Sequence, residues 1–453
     1  MSKAIHRGPF LALILYSIVA LGICVGGGTA DAQSAATLVR APADTPSLKL
    51  EGLLNEATAR NQRIAAAGSL ADAADARVKS ASRPPDPQLQ VGLMNYGLGD
   101  LKPMPVIGMQ QLQVMQMLPL GGKLRLAGRA ASASADAERA RASAVVWTVR
   151  RDVSSAFYDI YQTDRALDVA QQALRSLEDI SRTSQAMYRV GQAQQVDVLR
   201  ANVETARMAE DTIRMRSMRT ALVARLNALL NRADSASVGP AILPLFPSTL
   251  PSLESLISIA NERSPMIRSG VATLEQASAD NKRAVRELWP DLQLGIQLGR
   301  QGGPMGTEWM GSLMVGASIP IFARSRQLPM RKEYQAMKRM ASADLEQMRA
   351  DNRWQISEAY ADLQRARNLQ ALYRSTIIPQ ADAAAASAFA SYRVGTVNFM
   401  TLLEDRMTVR RYQQSLHELE ASEGKAWADL EMLLGANLIA HSDTAAVPTG
   451  VTP

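Results

Sequence analysis

Tyr188-Arg189-Val190-Gly191 recurs as Tyr392-Arg393-Val394-Gly395, 204 positions later, and the same offset carries Leu199 onto Leu403 and Leu229-Leu230 onto Leu433-Leu434. Upstream the correspondence continues with small slips. Glu51 and Leu53 match Glu254 and Leu256, Pro87-Gln88-Leu89 matches Pro290-Asp291-Leu292, and Leu118-Pro119-Leu120 matches Ile319-Pro320-Ile321. The slips fall where loops are expected, and loops tolerate insertions. A unit near 200 residues is far longer than a solenoid repeat of roughly 20–45 residues. The chain is therefore read as two similar halves, residues 47–231 and 251–435, and not as the three or so globular domains that 453 residues would otherwise suggest. Residues 232–250 form the expected linker, and 33–46 and 436–453 are expected to be flexible flanks.

Within each half the hydrophobic period changes twice. Residues 47–82 are Ala-rich with a helical pattern that Arg83-Pro84-Pro85-Asp86-Pro87 stops. Leu89, Val91 and Leu93 then alternate with Gln88, Gln90 and Gly92; Leu292, Leu294, Ile296 and Leu298 alternate with Gln293, Gly295, Gln297 and Gly299. Period two predicts strands that meet two different environments. Gly/Pro-rich loops follow (Gly97 to Pro105; Arg300 to Gly306), so hairpins are expected over 88–118 and 291–319. The helical period then returns for 124–188 and 326–391. In the first, Val146, Val149, Val153, Ala156, Ile160, Leu167, Ala170, Leu174 and Leu177 form a seam, with Thr163 filling its one gap. Pro379 should kink the second long helix. Gly191 and Gly395 supply turns, and helices over 195–231 and 400–435 return.

Length sets the architecture. Some 65 helical residues at about 1.5 Å each span near 100 Å, and the return helix and the N-terminal helix, stacked end to end, match that reach. The fold class is thus mainly α with a small β part, built of long antiparallel helices. Strands of roughly 9–11 residues are long enough to cross an outer membrane. Four cannot close a barrel, and open edges do not survive in lipid, so several chains must share one.

Composition agrees. Aromatic residues are 5% of the chain, which suits closely packed Ala-rich helices better than a thick core. Lys3 and Arg7, the apolar run Phe10 to Val25 and Ala30-Asp31-Ala32 read as a secretory signal over 1–32. Cys24 raises a lipid-anchor alternative that Ile23 disfavours, because such signals need a small residue there. With 1 Cys and 3 His, of which Cys24 and His6 lie in the signal, leaving only His417 and His441, a thiolate or imidazole metal cage, a disulfide framework and a Cys nucleophile are excluded. There is no phosphate loop and no HExxH, so no enzyme and no cofactor is expected. The net charge of +7 is spread along helices without a dense basic tract, which argues against nucleic acid.

The stretches YRVGQAQQVDVLR (188–200), YRVGTVNFMTLLED (392–405), MLPLGGKLR (117–125) and SIPIFARSR (318–326) resemble the TolC-type outer-membrane efflux family, over roughly 47–435. The wording LPLGGK and FMTLLED is nearest to heavy-metal efflux components of the CusC and CzcC type. The resemblance implies a homotrimer in the outer membrane of a Gram-negative bacterium. Its twelve-stranded barrel is shared by three chains and contacts outer-membrane lipid, above a periplasmic α-barrel. It implies a passive exit duct served by a periplasmic membrane-fusion adaptor and an inner-membrane pump of the RND type. Its cargo would be heavy-metal cations (copper and silver, or cobalt, zinc and cadmium). A multidrug or type I secretion duct, and a periplasmic coiled-coil structural protein, stay open as alternatives.

The resemblance also assigns residues. Arg189, Val190, Gly191 and Arg393, Val394, Gly395 would form the adaptor-docking tip, although glycines are what any helix reversal requires. Acidic residues just past the turns would form a periplasmic gate: Asp197, six residues after Gly191, and Glu404 beside Asp405, nine and ten after Gly395. Three-fold repetition makes each a ring of like charges that selects cations. The halves differ there, with Thr401 and Arg200 at the complementary positions; Arg200 either pairs with an acidic neighbour or points to solvent. Met94, Met104, Met109, Met115 and Met117 cluster at the first hairpin, and Met208, Met215 and Met218 lie on a return helix. Thioethers suit Cu(I) and Ag(I), yet methionines are expected to pack seams on helices and to face lipid on strands. Trp309 is expected to anchor at the membrane interface.

Overall fold

Each half runs helix pair, hairpin, long helix and return helix in a computed structural model that describes residues 47–94, 99, 109–303 and 306–439. The signal segment, with His6 and Cys24, lies outside the described residues. So do Met104, nearly all of the first hairpin loop, and the tail from 440, with His441.

In the first half α1 (Leu50–Arg60) and α2 (Gln62–Ala81) precede β1 (Gln88–Met94) and β2 (Met109–Leu118), and α3 (Lys123–Arg189) and α4 (Gln195–Leu229) follow. The second half has α5 (Leu253–Arg263), α6 (Pro265–Arg286), β3 (Asp291–Gly303), β4 (Gly306–Ser318), α7 (Gln327–Leu372), α8 (Ile378–Arg393) and α9 (Phe399–Leu434). The 67 residues of α3 span about 100 Å. Its seam is buried from Val149 to Leu177, apart from the half-buried Leu174, with Thr163 inside it.

Three differences from the periodicity have physical causes. The stretch expected as one helix over 50–82 is two, because Asn61 leaves the helical region (ψ 123°) and caps α2 by accepting from the Arg63 amide at 2.9 Å. Its Nδ2 donates to the Leu229 carbonyl at 2.8 Å, a tertiary contact no periodicity reveals. Ser264 repeats the break between α5 and α6 (ψ 121°), with Pro265 opening α6. Near Pro379 the helix passes through a π turn, Tyr373–Ile377, in which the Ile378 amide bonds the Tyr373 carbonyl. The wider turn accommodates a residue that has no N–H and crowds the preceding turn. Lastly, β3 extends through Gly303, so Arg300 to Gly303, expected as loop, continue the ladder, with Arg300 opposite Trp309.

Alanine lets the helices approach closely. Ala57, Ala135, Ala156, Ala170 and Ala201 are fully buried between them. At Gly424 of α9 the approach is closer still: a Cβ there would lie 2.3 Å from the Tyr158 ring of α3. Apolar clusters lie at mid-rod, one around Phe157, Tyr158 and Ile160 and another around Ile356, Leu363 and Trp427. A third lies at the turn end, around Leu177, Ile180, Phe399 and Leu402. The inter-half segment packs against the first of these, and its Ala241 bridges Leu48.

The four strands form one antiparallel sheet in the order β1-β2-β3-β4. Pairing of β2 with β3 unites the halves, with Leu118 opposite Leu292 and Val114 opposite Ile296. Among the described residues β1 and β4 each pair on one side only, so both edges of the sheet are open. No described helix is long and apolar enough to cross a membrane.

Candidate functional site

Register sorts the strand residues onto two faces. Leu89, Val91, Leu112, Val114, Leu294, Ile296, Leu298, Leu313 and Val315 share one face, and nearly all are well exposed. Trp309 stands at its far end, 73% exposed. The opposite face carries Gln88, Gln90, Gln111, Gln113, Gln293, Gln297 and Gln301, which are less exposed along β2 and β3. An exposed apolar face backed by an amide face is the inverse of a water-soluble sheet and is the pattern of a barrel wall, with lipid outside and an aqueous lumen inside. The methionines break the expectation stated for them. Met94, Met109, Met115, Met117, Met310 and Met314 all lie on the amide face and none on the apolar one. On α4, Met208 is buried in the seam and Met215 packs beside it, whereas Met218 is exposed.

At the other end of the rod both helix reversals have the same construction. Gly191 and Gly395 have φ of 72° and 75°, their amides bond the Tyr188 and Tyr392 carbonyls at 3.0 Å, and Gln192 and Thr396 amides reach back to Met187 and Ser391. A Cβ on either glycine would meet nothing within 4 Å, so glycine is required by the left-handed backbone and not by space. Arg189, Val190, Arg393 and Val394 are exposed, the valines at 68% and 74%. The two turns lie side by side: Ser184 Oγ is 3.0 Å from Tyr392 Oη, and Tyr392 stacks edge-on against Phe399. The repeated tyrosines have diverged, since Tyr188 is 47% exposed and Tyr392 is 4%.

Asp197 opens α4 half-buried, close enough to Tyr392 that its charge adds to burial in pushing the phenol's ionisation up, against the hydrogen bond to Ser184. Glu404 is exposed and Asp405 half-buried on α9. None of the three has a cationic partner among the described residues, and Arg200, which is exposed, has no acidic one there. Beside them Val196, Leu199, Val203, Met400 and Leu403 line a groove of about 340 Å³ together with the charged Arg200, Glu204 and Arg207.

A belt of buried polar groups at mid-rod escaped the sequence reading. Glu420 accepts from Tyr161 Oη at 2.7 Å, His417 Nδ1 at 2.8 Å and the Arg374 guanidinium of the π turn. Burial opposes its ionisation, but these three donors outweigh burial and hold its carboxyl down to about 2. Glu423 accepts from Arg367 and Gln370, and Glu431 receives the Leu438 and Ile439 amides. The available signal was carboxylates at 420, 423 and 431 among Leu419, Ala421, Trp427 and Leu430, where a seam should be apolar. No group of three or more His, Cys, Asp or Glu side chains among the described residues is arranged to hold a metal ion.

The comparisons agree with this geometry. The chain is 25% identical over 338 residues to the pyoverdine export outer membrane protein OpmQ of Pseudomonas putida, covering 71% of this chain and 69% of that one. It is 24% identical over 378 residues to the cobalt-zinc-cadmium resistance protein CzcC of Cupriavidus metallidurans, covering 80% and 84%. Its fold matches the outer-membrane channel OprN with a TM-score of 0.75 at 19% identity, covering 86% of this chain and 90% of that one. It matches CusC with a TM-score of 0.75 at 16% identity, covering 87% and 93%. The model of the outer membrane efflux protein family matches residues 53–232 and 256–436, one match in each half. The resemblance carried by the doubled turn motif is borne out: the chain belongs to the outer membrane efflux protein family, and it is an efflux channel of the Gram-negative outer membrane with a long periplasmic helical part.

Proposed function

We propose that the chain assembles as a homotrimer whose twelve strands close one barrel, and that it serves as the exit duct for an RND-type inner-membrane pump through a membrane-fusion adaptor. The observation that carries this reading is the inside-out sheet with two open edges, standing on a helical rod about 100 Å long. Edges open in lipid leave backbone groups unpaired, and a second and third copy satisfy them. The exposed groove at Val196, Leu199 and Val203 supports further contact between copies along the rod.

The adaptor docks at Arg189, Val190, Gly191, Arg393, Val394 and Gly395, where two exposed turns lie together on one packed cluster. Asp197, Glu404 and Asp405 form the periplasmic gate. Having no cation partner among the described residues, they repeat around the three-fold axis as rings that attract cations and repel one another. The cargo is a heavy-metal cation, a reading supported by the likeness to CzcC; the likeness to OpmQ supports organic export as the second reading.

Heat-resistant trimers in outer-membrane fractions, co-purification with an adaptor, and sensitivity of a deletion strain to metal salts but not to antibiotics are the expected results. A soluble elongated species released by osmotic shock overturns the duct, and antibiotic sensitivity alone overturns the metal cargo.

A further inference from the structure

We infer that the foot of the sheet binds the headgroup of an anionic glycerophospholipid in the periplasmic leaflet of the outer membrane, with Arg324 and Arg326 on the phosphate and Ile319, Ile321 and Phe322 against the acyl chains. This rests on the reading of the apolar face as lipid-facing, and adds recognition of a charged headgroup to burial in hydrocarbon.

Two tryptophans mark the limits of that face. Trp309, the cross-strand partner of Arg300, stands at the far end. Trp289 precedes β3 at the near end, with the Arg286 guanidinium 5.8 Å from its ring centre. Arg300 follows Trp289 by eleven residues, about 27 Å of height at a rise of roughly 3.3 Å and a tilt of about 40°. The apolar band of an outer-membrane barrel is roughly 25 Å tall, so Trp289 lies at one interface. The long periplasmic helices α3 and α7 begin at this end, which makes it the headgroup layer of the periplasmic leaflet.

The side chains there are ordered as a lipid requires. Just past the last strand pair, Asp291 with Ser318, the chain exposes Ile319, Ile321 and Phe322, each by more than 70%. Arg324, Arg326, Arg331 and Lys332 follow, all exposed, with Glu333 the one carboxylate beside them. Neither these four cations nor Arg286 form an ion pair among the described residues, whereas the nearby Arg283 is held by Asp280 at 3.3 Å. A cavity of about 580 Å³ opens here, lined in part by Trp289, Ile319, Ile321, Phe322 and Arg326. Its carboxylates, Glu287 and Asp291, are both engaged by Lys123 and leave Arg326 unopposed. Apolar and aromatic groups toward the membrane, with unpaired guanidinium groups below them, match acyl chains and a phosphate in turn. The other claimant is a second copy of the chain, which would bring the exposed Asp86 that precedes its β1 to the open edge of β4. One aspartate does not neutralise four cations.

The test uses the full-length trimer purified from outer membranes, stripped of lipid in detergent and titrated with phosphatidylglycerol or phosphatidylcholine, while native mass spectrometry counts the lipid bound. The wild type is expected to hold one phosphatidylglycerol per subunit and to bind phosphatidylcholine far more weakly. Arg324→Gln/Arg326→Gln is expected to bind phosphatidylglycerol roughly thirty-fold more weakly, as the loss of two headgroup-level cations implies. Arg324→Lys/Arg326→Lys should keep binding, and all three proteins should keep trimer stability and potassium conductance. Equal binding of both lipids, or of phosphatidylglycerol by all three proteins, overturns the site while leaving the duct intact. Displacement of the lipid by excess inorganic phosphate assigns the cations to free phosphate and overturns the lipid reading. Loss of the trimer in the Gln variant assigns them to subunit contact and overturns it as well. A wild type recovered only in the soluble periplasmic fraction overturns the lipid-facing sheet itself.

Discussion

Lys123 and Asp291 lock the two halves of the chain together at the base of the sheet. The ammonium of Lys123, first residue of α3, lies 2.8 Å from Asp291 Oδ1 at the start of β3 and donates to the Trp289 carbonyl at 3.0 Å, with Glu287 at 3.4 Å. The lysine side chain is only 8% exposed. Its counterpart in the second half, Arg324, is exposed, so the lock exists once per chain.

Removing one partner of a buried pair strands the other charge. Lys123→Ala is expected to destabilise the chain by about 2–3 kcal/mol, and Lys123→Arg, which keeps the charge, by less. Thermal unfolding of the detergent-solubilised protein measures both; equal losses would mean that shape and not charge is what matters there.

Gly424→Ala should force α9 away from the Tyr158 ring, because the new methyl would lie 2.3 Å from ring atoms held between helices. A cost of about 1–3 kcal/mol is expected from overpacking. Gly68→Ala in α2, where a Cβ meets nothing within 4 Å, is the control and should stabilise by about 0.5–1 kcal/mol through helix propensity.

At the turns, Gly191→Ala and Gly395→Ala each place a Cβ on a left-handed backbone and should cost about 1–2 kcal/mol, with Asn at the same positions milder. Calorimetry measures this. Val190→Asp with Val394→Asp should leave stability within about 0.5 kcal/mol, since both are exposed, yet weaken adaptor co-purification. Undiminished co-purification would remove the docking role.

Neutralising the carboxylates as Asp197→Asn, Glu404→Gln and Asp405→Asn together is expected to lower cation over anion selectivity in planar bilayers and to change the closed-state leak. Single-channel current and selectivity identical to wild type would remove the gate.

Acid should weaken the mid-rod belt. The Glu420 carboxyl is held at about 2 in the fold and returns to the ordinary carboxylate range on unfolding. Its contribution is therefore fully present above about pH 4.5 and is lost as pH falls toward 2. Glu420→Gln should cost about 1–3 kcal/mol at neutral pH and flatten this part of the acid dependence, read as unfolding midpoints between pH 6 and pH 3.

Much of the fold was legible because it depends on spacing. The doubled Tyr-Arg-Val-Gly located both reversals, the alternation of Leu and Val with Gln located the hairpins, and the seam from Val146 to Leu177 located the long helix. Asn61 was illegible because its capping role needs the Leu229 carbonyl, supplied by a helix far away in sequence. The placement of Met115 and Met314 on the amide face was illegible for another reason: methionine is apolar by composition, and only the register tells which face it joins.

Two halves, two hairpins with one apolar and one polar face, and two glycine turns were thus inherent in the linear order of residues, since periodicity and backbone hand are local properties. Which tyrosine of the repeated turn is buried, that Lys123 reaches Asp291 while Arg324 stays exposed, and that carboxylates at 420, 423 and 431 find donors within the seam were decided by tertiary packing. Each depends on a partner from a distant segment, and near-identical local sequences acquire different environments once the halves come together.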